Sequence, residues 1–329
     1  MKNPITDYLI HNQFLTTLIV LALIWLAIEL SGILIIIFVS YIIMAALSPF
    51  SDFLTKKRFP RILSVLIPYA LAIAVLVLLI FPLVPFFVSQ IQLLFSNFPT
   101  YINQVSKIFN LNINVSNVNN VFESDIDAVA KNALSFTGKI FTGAFSVLSV
   151  LVIGFYLMLE RHMLKDQVVI LFPQKYQKKI REIMVQIETK LGLWLRGQLV
   201  LSFTIGFVTW LGLTLLGLPF ALPLGLLAGM LEIVPTIGPI IASVPAIIVA
   251  LTISPQIALV VTGFYIVIQM IENNVLVPKI MEKAVGLSPI VVIIGVLIGS
   301  KFLGILGALL AVPFIAMVLI IVRSFKTSN

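Results

Sequence analysis

The sequence predicts an all-α polytopic membrane protein with about six full spans and two broken or re-entrant helical hairpins in its C-terminal half. The 329 residues are 60% hydrophobic and only 10% charged, whereas about 25% of the residues in a soluble domain are charged. The apolar residues form runs close to the roughly 20 residues that a helix needs to cross a bilayer. The lysines and arginines fall between those runs, as expected for loops that face the cytoplasm.

Composition also excludes several kinds of site. The chain contains no cysteine, so disulfides and zinc–thiolate sites are excluded. Its two histidines, His11 and His162, lie near predicted membrane ends and far apart in sequence, which argues against a histidine metal site. The net charge of +8 is explained by basic cytoplasmic loops, and we expect no nucleic-acid partner.

Charge and polarity divide the chain into five segments. In order, these are N-terminal transmembrane helices (1–88), an extracytoplasmic polar segment (89–138), a transmembrane helix (139–160), a cytoplasmic basic amphipathic segment (161–198) and a C-terminal transport core with two helical hairpins (199–329). Each hairpin contributes an even number of crossings whether it re-enters or spans. We therefore expect a multi-pass membrane protein with both termini in the cytoplasm.

Three local expectations concern the segments before the core. Phe14–Leu30 is predicted to cross the membrane, Ser31–Gly32 to form a tight turn and Ile33–Leu47 to run back. The acidic group in the polar segment (Glu123, Asp125, Asp127) lacks a complete calcium-loop spacing and is interpreted as a solvated loop. In the basic segment, apolar residues from Ile180 to Leu195 recur at helical spacing and predict an interfacial helix lying against the membrane, with partner binding as the alternative.

The first hairpin is predicted where Glu232, Pro235, Thr236, Gly238 and Pro239 interrupt a long apolar run. Each proline lacks a backbone donor, and irregular backbone at membrane depth is tolerated only beside protein or a water-filled cavity. An ionisable group at such a break is typical of a transport site. The two flanking arms would extend about 17 and 22 Å, which favours half-helices that meet at a mid-membrane tip. The alternative is two short tilted spans with the break at the cytoplasmic surface.

The second hairpin is predicted from Pro289–Ser300 and Leu303–Val322, joined at Lys301–Phe302. Several glycines surround both hairpins and predict close helix packing, with hinge motion as the alternative. They are Gly225, Gly229, Gly295, Gly299, Gly304 and Gly307.

Candidate pathway residues lie at the first break and on the helix that follows it. Gln269, Glu272 and Asn273 stand at i, i+3 and i+4 and are predicted to share one face, with Asn274 just beyond. Together with Glu232, their oxygens could ligate Na⁺, or the carboxylates could carry protons. The alternative places Glu272 near the inner headgroups, paired with Lys279.

Two further residues, Arg196 and Gln198, open the predicted fifth span at its cytoplasmic end. They are interpreted either as a lipid anchor or as part of a gate, together with Lys279.

The half from Leu195 to Phe325 resembles the autoinducer-2 exporter family, the PerM-type bacterial permeases. The stretches that carry the resemblance are Leu195–Gln198, Leu216–Pro219, Pro235–Pro239, Ile271–Ile280, Gly286–Pro289 and Gly304–Pro313. The resemblance implies a homo-oligomeric transporter of this fold and leaves the solute open. Some members of the family are assigned to export of autoinducer-2, and others to exchange of sodium or lithium for protons.

Two main hypotheses follow. The first is a secondary transporter that exports a small polar solute such as autoinducer-2, and the second is a Na⁺(Li⁺)/H⁺ antiporter that uses Glu232 and Glu272. A third is a channel or scaffold without coupled transport. The sequence shows no catalytic motif and no nucleotide-binding loop. We therefore expect no enzyme activity and no cofactor other than Na⁺ or H⁺ as a coupling ion.

Overall fold

The computed structural model describes residues 17–18, 21–22, 25–26, 29–75, 77, 146–234, 237–281 and 286–326. All regular structure within these ranges is helical. The elements are α1 (Ser31–Lys56), α2 (Arg61–Val75), α3 (Ser146–Leu159), α4 (Arg161–Ile170), α5 (Gln174–Leu215), α6 (Ala221–Leu231), α7 (Ile237–Ile253), α8 (Pro255–Ile271), a π-helical turn (Glu272–Leu276), α9 (Val277–Met281) and α10 (Pro289–Lys326).

The predicted class, an all-α multi-pass membrane protein, is confirmed. In the described part of the chain, four helices are long and apolar enough to cross a membrane, or five if the bent pair α3–α4 is one span. The predicted total of about six stays a prediction. Most of Phe14–Leu30, the polar segment 89–138 with its acidic group, and the start of the helix predicted at 139 lie outside the described residues.

The tight turn predicted at Ser31–Gly32 is wrong. Leu30 N–H donates to the Leu26 carbonyl and Leu34 N–H to the Leu30 carbonyl, both at 2.9 Å, so helical pairing exists on both sides of Leu30. Ser31 and Gly32 instead form the first turn of α1. Glycine is common inside membrane helices, where the apolar solvent offers the backbone no other partner, and here it does not mark a reversal.

Helix α5 corrects the prediction of an interfacial amphipathic helix. It runs without interruption through 42 residues, about 63 Å at the α-helical rise. The predicted amphipathic segment and fifth span are therefore one helix. Its apolar face is covered by protein: Ile180 and Ile183 pack with Val169 of α4, and Leu191 and Trp194 share a buried cluster with α1. Protein therefore covers the face that we predicted to lie on lipid.

A network of ion pairs joins α1, α4 and α5 at the basic end of the molecule. Arg161 lies 3.2 Å from Asp52 and 3.3 Å from Glu188, which also pairs with Lys165. Helix α3 meets α4 at a 75° bend, which turns α4 onto α5. Because Glu188 is nearly buried and faces two cations, the network clamps three helices together.

We expect Glu188→Gln to destabilise the protein. The change leaves Arg161 and Lys165 without their shared anion, and breaking a nearly buried pair costs on the order of 1–3 kcal/mol, less than a fully buried pair because the site borders water. The measurement is thermal unfolding in detergent. Glu182→Gln, on an exposed part of the same helix, is the control. Equal unfolding temperatures for the two variants would contradict a clamping role.

Both predicted hairpins are present. In the first, α6 and α7 pack side by side in opposite directions, since Ala228 lies in one buried cluster with Ala242 and Leu224 in another with Ala246. In the second, α10 reverses at Gly304, whose φ of 60° and ψ of −140° are not helical. Its two arms meet so closely that a Cβ on Gly299 would overlap the Gly307 carbonyl. Packing, the first interpretation of these glycines, is confirmed there.

Candidate functional site

The tip of the first hairpin is held by glycine packing and by local backbone hydrogen bonds. Gly229 of α6 lies against the backbone of Ser202 and Gly206 in α5, where no Cβ would fit without a shift. This close approach brings the end of α6 against the C-terminal third of α5. After α6, Val234 N–H donates to Leu231 O and Gly238 N–H to Val234 O, each at 3.0 Å. These two bonds hold the short connection between α6 and α7 in place, and Glu232 is the first residue after α6.

A π-helical turn positions the second acid. It spans Glu272–Leu276, and its closing bond runs from the Val277 N–H to the Glu272 carbonyl, five residues back. Pro278 has no N–H, so it cannot donate the α-helical bond to Asn274, and the wider turn accommodates this loss. Turns of this kind are frequent at functional sites. Glu272 lies at the first position of the turn, where α8 ends.

Four polar side chains, one each from α5, α8, the π-helical turn and the hairpin tip, meet at this level. The carboxyl groups of Glu232 and Glu272 lie within hydrogen-bonding reach of each other, and the Gln269 side chain reaches Glu272. From α5, Gln198 Nε2 donates to the Glu232 carbonyl oxygen at 2.7 Å. Glu232 is 1% exposed, while Glu272 and Gln198 are each 2% exposed. We call these four residues the carboxyl site.

The carboxyl site contains oxygens that the described residues do not satisfy. Oε2 of Glu232 and Oε2 of Glu272 are buried and accept no hydrogen bond from any described residue. A buried polar atom without a partner is costly, and in a native structure it calls for an explanation such as a proton, an ion or a catalytic role. Within the described residues, no lysine, arginine or histidine pairs with either acid.

The other predicted site residues have different locations. Gly238 and Pro239 are buried at the start of α7, beside the site, while Pro235 and Thr236 lie outside the described residues. Asn273 is exposed, and Asn274 turns back to donate to the Met270 carbonyl. Lys279 is exposed, so the structure gives no support to its proposed pairing with Glu272.

Arg196 and Gln198, which the sequence treats together, have separate roles. Arg196 Nη1 donates to the Ala46 carbonyl of α1 at 3.2 Å and so ties α5 to α1 away from the carboxyl site. Gln198 belongs to the site itself.

Sequence reasoning missed three buried hydroxyls on α5 and α8. Ser202 and Thr209 of α5 and Tyr265 of α8 each bury an oxygen that finds no hydrogen-bond partner among the described residues. The spacing contained a signal: Gln198, Ser202 and Thr209 stand at i, i+4 and i+11 on one face of an apolar helix. A line of polar positions therefore extends along α5 from the carboxyl site.

We expect Gln198→Leu to weaken the fold at the tip. The change leaves the buried Glu232 carbonyl without its donor, which costs about 1–3 kcal/mol of unfolding free energy. Thermal unfolding in detergent measures the loss. Gln186→Leu is the control, because Gln186 is exposed on the same helix. A Gln198→Leu variant as stable as this control would show that the bond contributes nothing.

Comparison with known proteins finds bacterial relatives that match most of the chain. The chain is 28% identical to the Bacillus subtilis (strain 168) protein YrrI over 88% of its own length and 84% of that protein. It is 28% identical to YueF of the same organism over 80% of the chain and 77% of YueF. It is also 30% identical to Escherichia coli (strain K12) PerM over 60% of the chain and 57% of PerM. The names of these relatives class the first two with transport proteins and the third with permeases.

The family model described as AI-2E family transporter matches residues 14–327, which is nearly the whole sequence. The match includes both hairpins and every residue of the carboxyl site. The chain therefore belongs to the AI-2E family of membrane transporters.

Proposed function

We propose that the protein is a secondary transporter that exports a small polar solute across the bacterial inner membrane in exchange for protons, which bind at Glu232 and Glu272. The observation that carries this proposal is the contact between two buried carboxyl groups, contributed by the hairpin tip and by the π-helical turn. The described residues supply no cation to neutralise them.

The chemistry follows from electrostatics. Two carboxylates in contact away from water repel each other strongly when both are ionised, so such a pair is most stable when it shares a proton. The shared proton supplies the missing donor between the two acids. Opening the site to water on one side removes the cost of ionisation and releases the proton. The pair can thus load a proton on one side of the membrane and release it on the other.

The polar solute would bind next to the same pair. Amide groups of Gln198 and Gln269 border the acids, and such groups hydrogen-bond to uncharged hydroxyl-rich molecules. A small, uncharged, autoinducer-2-like signal fits that chemistry. Both acids are closed off from solvent in this conformation, so alternating access requires the hairpin to move relative to α5 and α8.

A second candidate is a Na⁺(Li⁺)/H⁺ antiporter. Its support is the donor set of the carboxyl site, which offers carboxylate and amide oxygens of the kind that hard cations prefer. In that case the cation would replace the shared proton between Glu232 and Glu272. The two candidates use the same acids and differ only in what is exchanged for the proton.

Flux measurements in reconstituted vesicles distinguish the candidates. An inward proton gradient is imposed, and solute efflux and internal pH are followed with and without sodium or lithium. Proton-driven solute efflux that ignores both cations supports the exporter, and cation-dependent proton movement without solute supports the antiporter. Conductance without coupled exchange would show a channel and contradict both. Subunit counting in the same preparations tests the expected homo-oligomer, and tags on each terminus test their cytoplasmic location.

Opening of the carboxyl site is tested by single cysteines, since the chain has none of its own. Single cysteines replace the residues from Ala228 to Ala242 other than Gly229, Glu232 and Gly238, where the glycine packing or the carboxyl group is required, and each variant is treated with a water-soluble thiol reagent during transport. We expect positions near Glu232 and Gly238 to react only under turnover. Protection of all of them at every step would contradict passage of solute or ions along the tip.

A further inference from the structure

An apolar groove lies between α1 and the second hairpin, away from the carboxyl site. Its volume is about 540 Å³, which is within the range of small-molecule sites. Leu34 and Phe38 of α1 form one wall, and residues of both arms of α10, among them Gly299, Leu303 and Phe314, form the other. The lining is almost entirely hydrocarbon. The occupant must therefore present an apolar body.

The groove lies at the membrane face opposite the basic ends of the helices. Leu34 is about 33 Å along α1 from Lys56, and Leu303 is about 30 Å along α10 from Arg323. Both helices thus place the groove about 30 Å from their basic ends, which is the thickness of the hydrocarbon core of a bilayer. Along α10 the lining extends from Leu303 to Met317, about 21 Å, which is somewhat longer than the roughly 15 Å of hydrocarbon in one leaflet.

Lys301 adds a charge at the mouth of this groove. It lies between the lining residues Gly299 and Phe302 in the reversal of α10, and it is exposed. Within the part of the chain that the structure describes, the other lysines and arginines lie toward the opposite, basic face. Among the described residues Lys301 is thus set apart from the other cations, and an exposed ammonium group beside an apolar groove is suited to pair with an anionic lipid headgroup.

We propose that the groove binds one anionic phospholipid of the outer leaflet. Its phosphate pairs with the Lys301 ammonium group, and one acyl chain lies along the groove between Leu34, Phe38 and the arms of α10. The charge of Lys301 selects the headgroup, and the length of the apolar lining fits a single chain. Because Gly304 lies in the reversal of α10 with non-helical backbone angles, a lipid bound there would also brace the second hairpin.

Native mass spectrometry of the full protein tests this site. The protein is purified in detergent, supplied with phosphatidylglycerol or phosphatidylcholine, and the retained lipid is counted. We expect wild type to retain phosphatidylglycerol preferentially and Lys301→Gln to weaken that retention about fivefold, as expected for one lysine at an anionic membrane surface. Lys178→Gln, an exposed change on the cytoplasmic part of α5, should bind like wild type.

A second variant tests the groove itself. Leu34→Trp changes an exposed side chain of the lining and should displace the lipid without unfolding the protein. Three outcomes would overturn the proposal. They are equal retention of the two lipids by wild type, unchanged retention in both groove variants, and a change of subunit number in place of lipid loss, which would assign the groove to a second copy of the chain.

Discussion

Glu232→Gln is expected to abolish proton-driven transport in reconstituted vesicles, with flux falling to that of protein-free vesicles. The amide cannot exchange a proton, so the carboxyl site can no longer alternate between its loaded and released states. The same change should leave the unfolding temperature unchanged or raise it. In the wild type two acids face each other, whereas in the variant the new amide can donate a hydrogen bond to the Glu272 carboxylate. We therefore expect Glu232→Gln to lose transport and to keep its fold.

The controls separate the carboxyl site from general charge effects. Glu272→Gln should abolish transport in the same way, since the two acids act as one unit. Glu182→Gln removes an exposed acid from α5 and should transport like wild type. If Glu232→Gln still moves solute or cations in response to a pH gradient, the acids are structural and the proposed coupling is wrong.

Gly238→Ala should disrupt the hairpin tip. A Cβ at Gly238 would overlap the carbonyl group of Leu231. That carbonyl belongs to the backbone, so it cannot rotate away as a flexible side chain could. The start of α7 must then move away from the end of α6, which shifts Glu232 relative to Glu272. Overpacking of this kind costs typically 1–3 kcal/mol. We therefore expect a lower unfolding temperature in detergent and a loss of transport.

Gly263→Ala is the matched control for this prediction. Gly263 lies inside α8, and among the described residues no atom outside its own stretch of helix lies within 4 Å of the position that a Cβ would take there. Alanine should therefore be neutral or stabilise the helix by about 0.5–1 kcal/mol. A Gly238→Ala variant as stable and active as Gly263→Ala would show that α6 and α7 can separate freely. The close contact at the tip would then have no functional meaning.

Much of the C-terminal architecture was predictable because local chemistry determines it. Proline and glycine interrupt the apolar run around Glu232, and the short arms follow from where those residues stand. The reversal of α10 near Lys301 follows in the same way from neighbouring glycines. Sequence alone also identified Glu232, Glu272, Gln269 and Gln198 as candidates.

The contacts among those candidates could not be predicted. Glu232 and Glu272 are distant in sequence and meet only because α6 and α7 fold back along α5 and α8. The predicted shared face of Gln269, Glu272 and Asn273 assumed 3.6 residues per turn. The π-helical turn at Glu272 widens the spacing, so Asn273 turns outward while Gln269 keeps its contact.

The covered face of α5 shows a second limit of sequence reasoning. A hydrophobic stripe predicts that one side of a helix is buried but does not identify what covers it. Around Ile180 and Trp194 the cover is α4 and α1, not lipid. The ion pairs of Arg161 with Glu188 and Asp52 help to hold those helices there, and the second of these pairs joins residues 109 positions apart.

Because α5 is long and continuous, a movement at one of its ends displaces residues along its whole length. One continuous rod of about 63 Å carries the ion-pair network, Gln198 and the glycines that hold the hairpin. A tilt of about 5° around its Leu215 end would move its Gln174 end by roughly 5 Å and Gln198 by about 2 Å, given the helical rise. Such a displacement is enough to break the 2.7 Å bond to the Glu232 carbonyl. A small movement at the Gln174 end of the rod is thereby transmitted to the two buried acids.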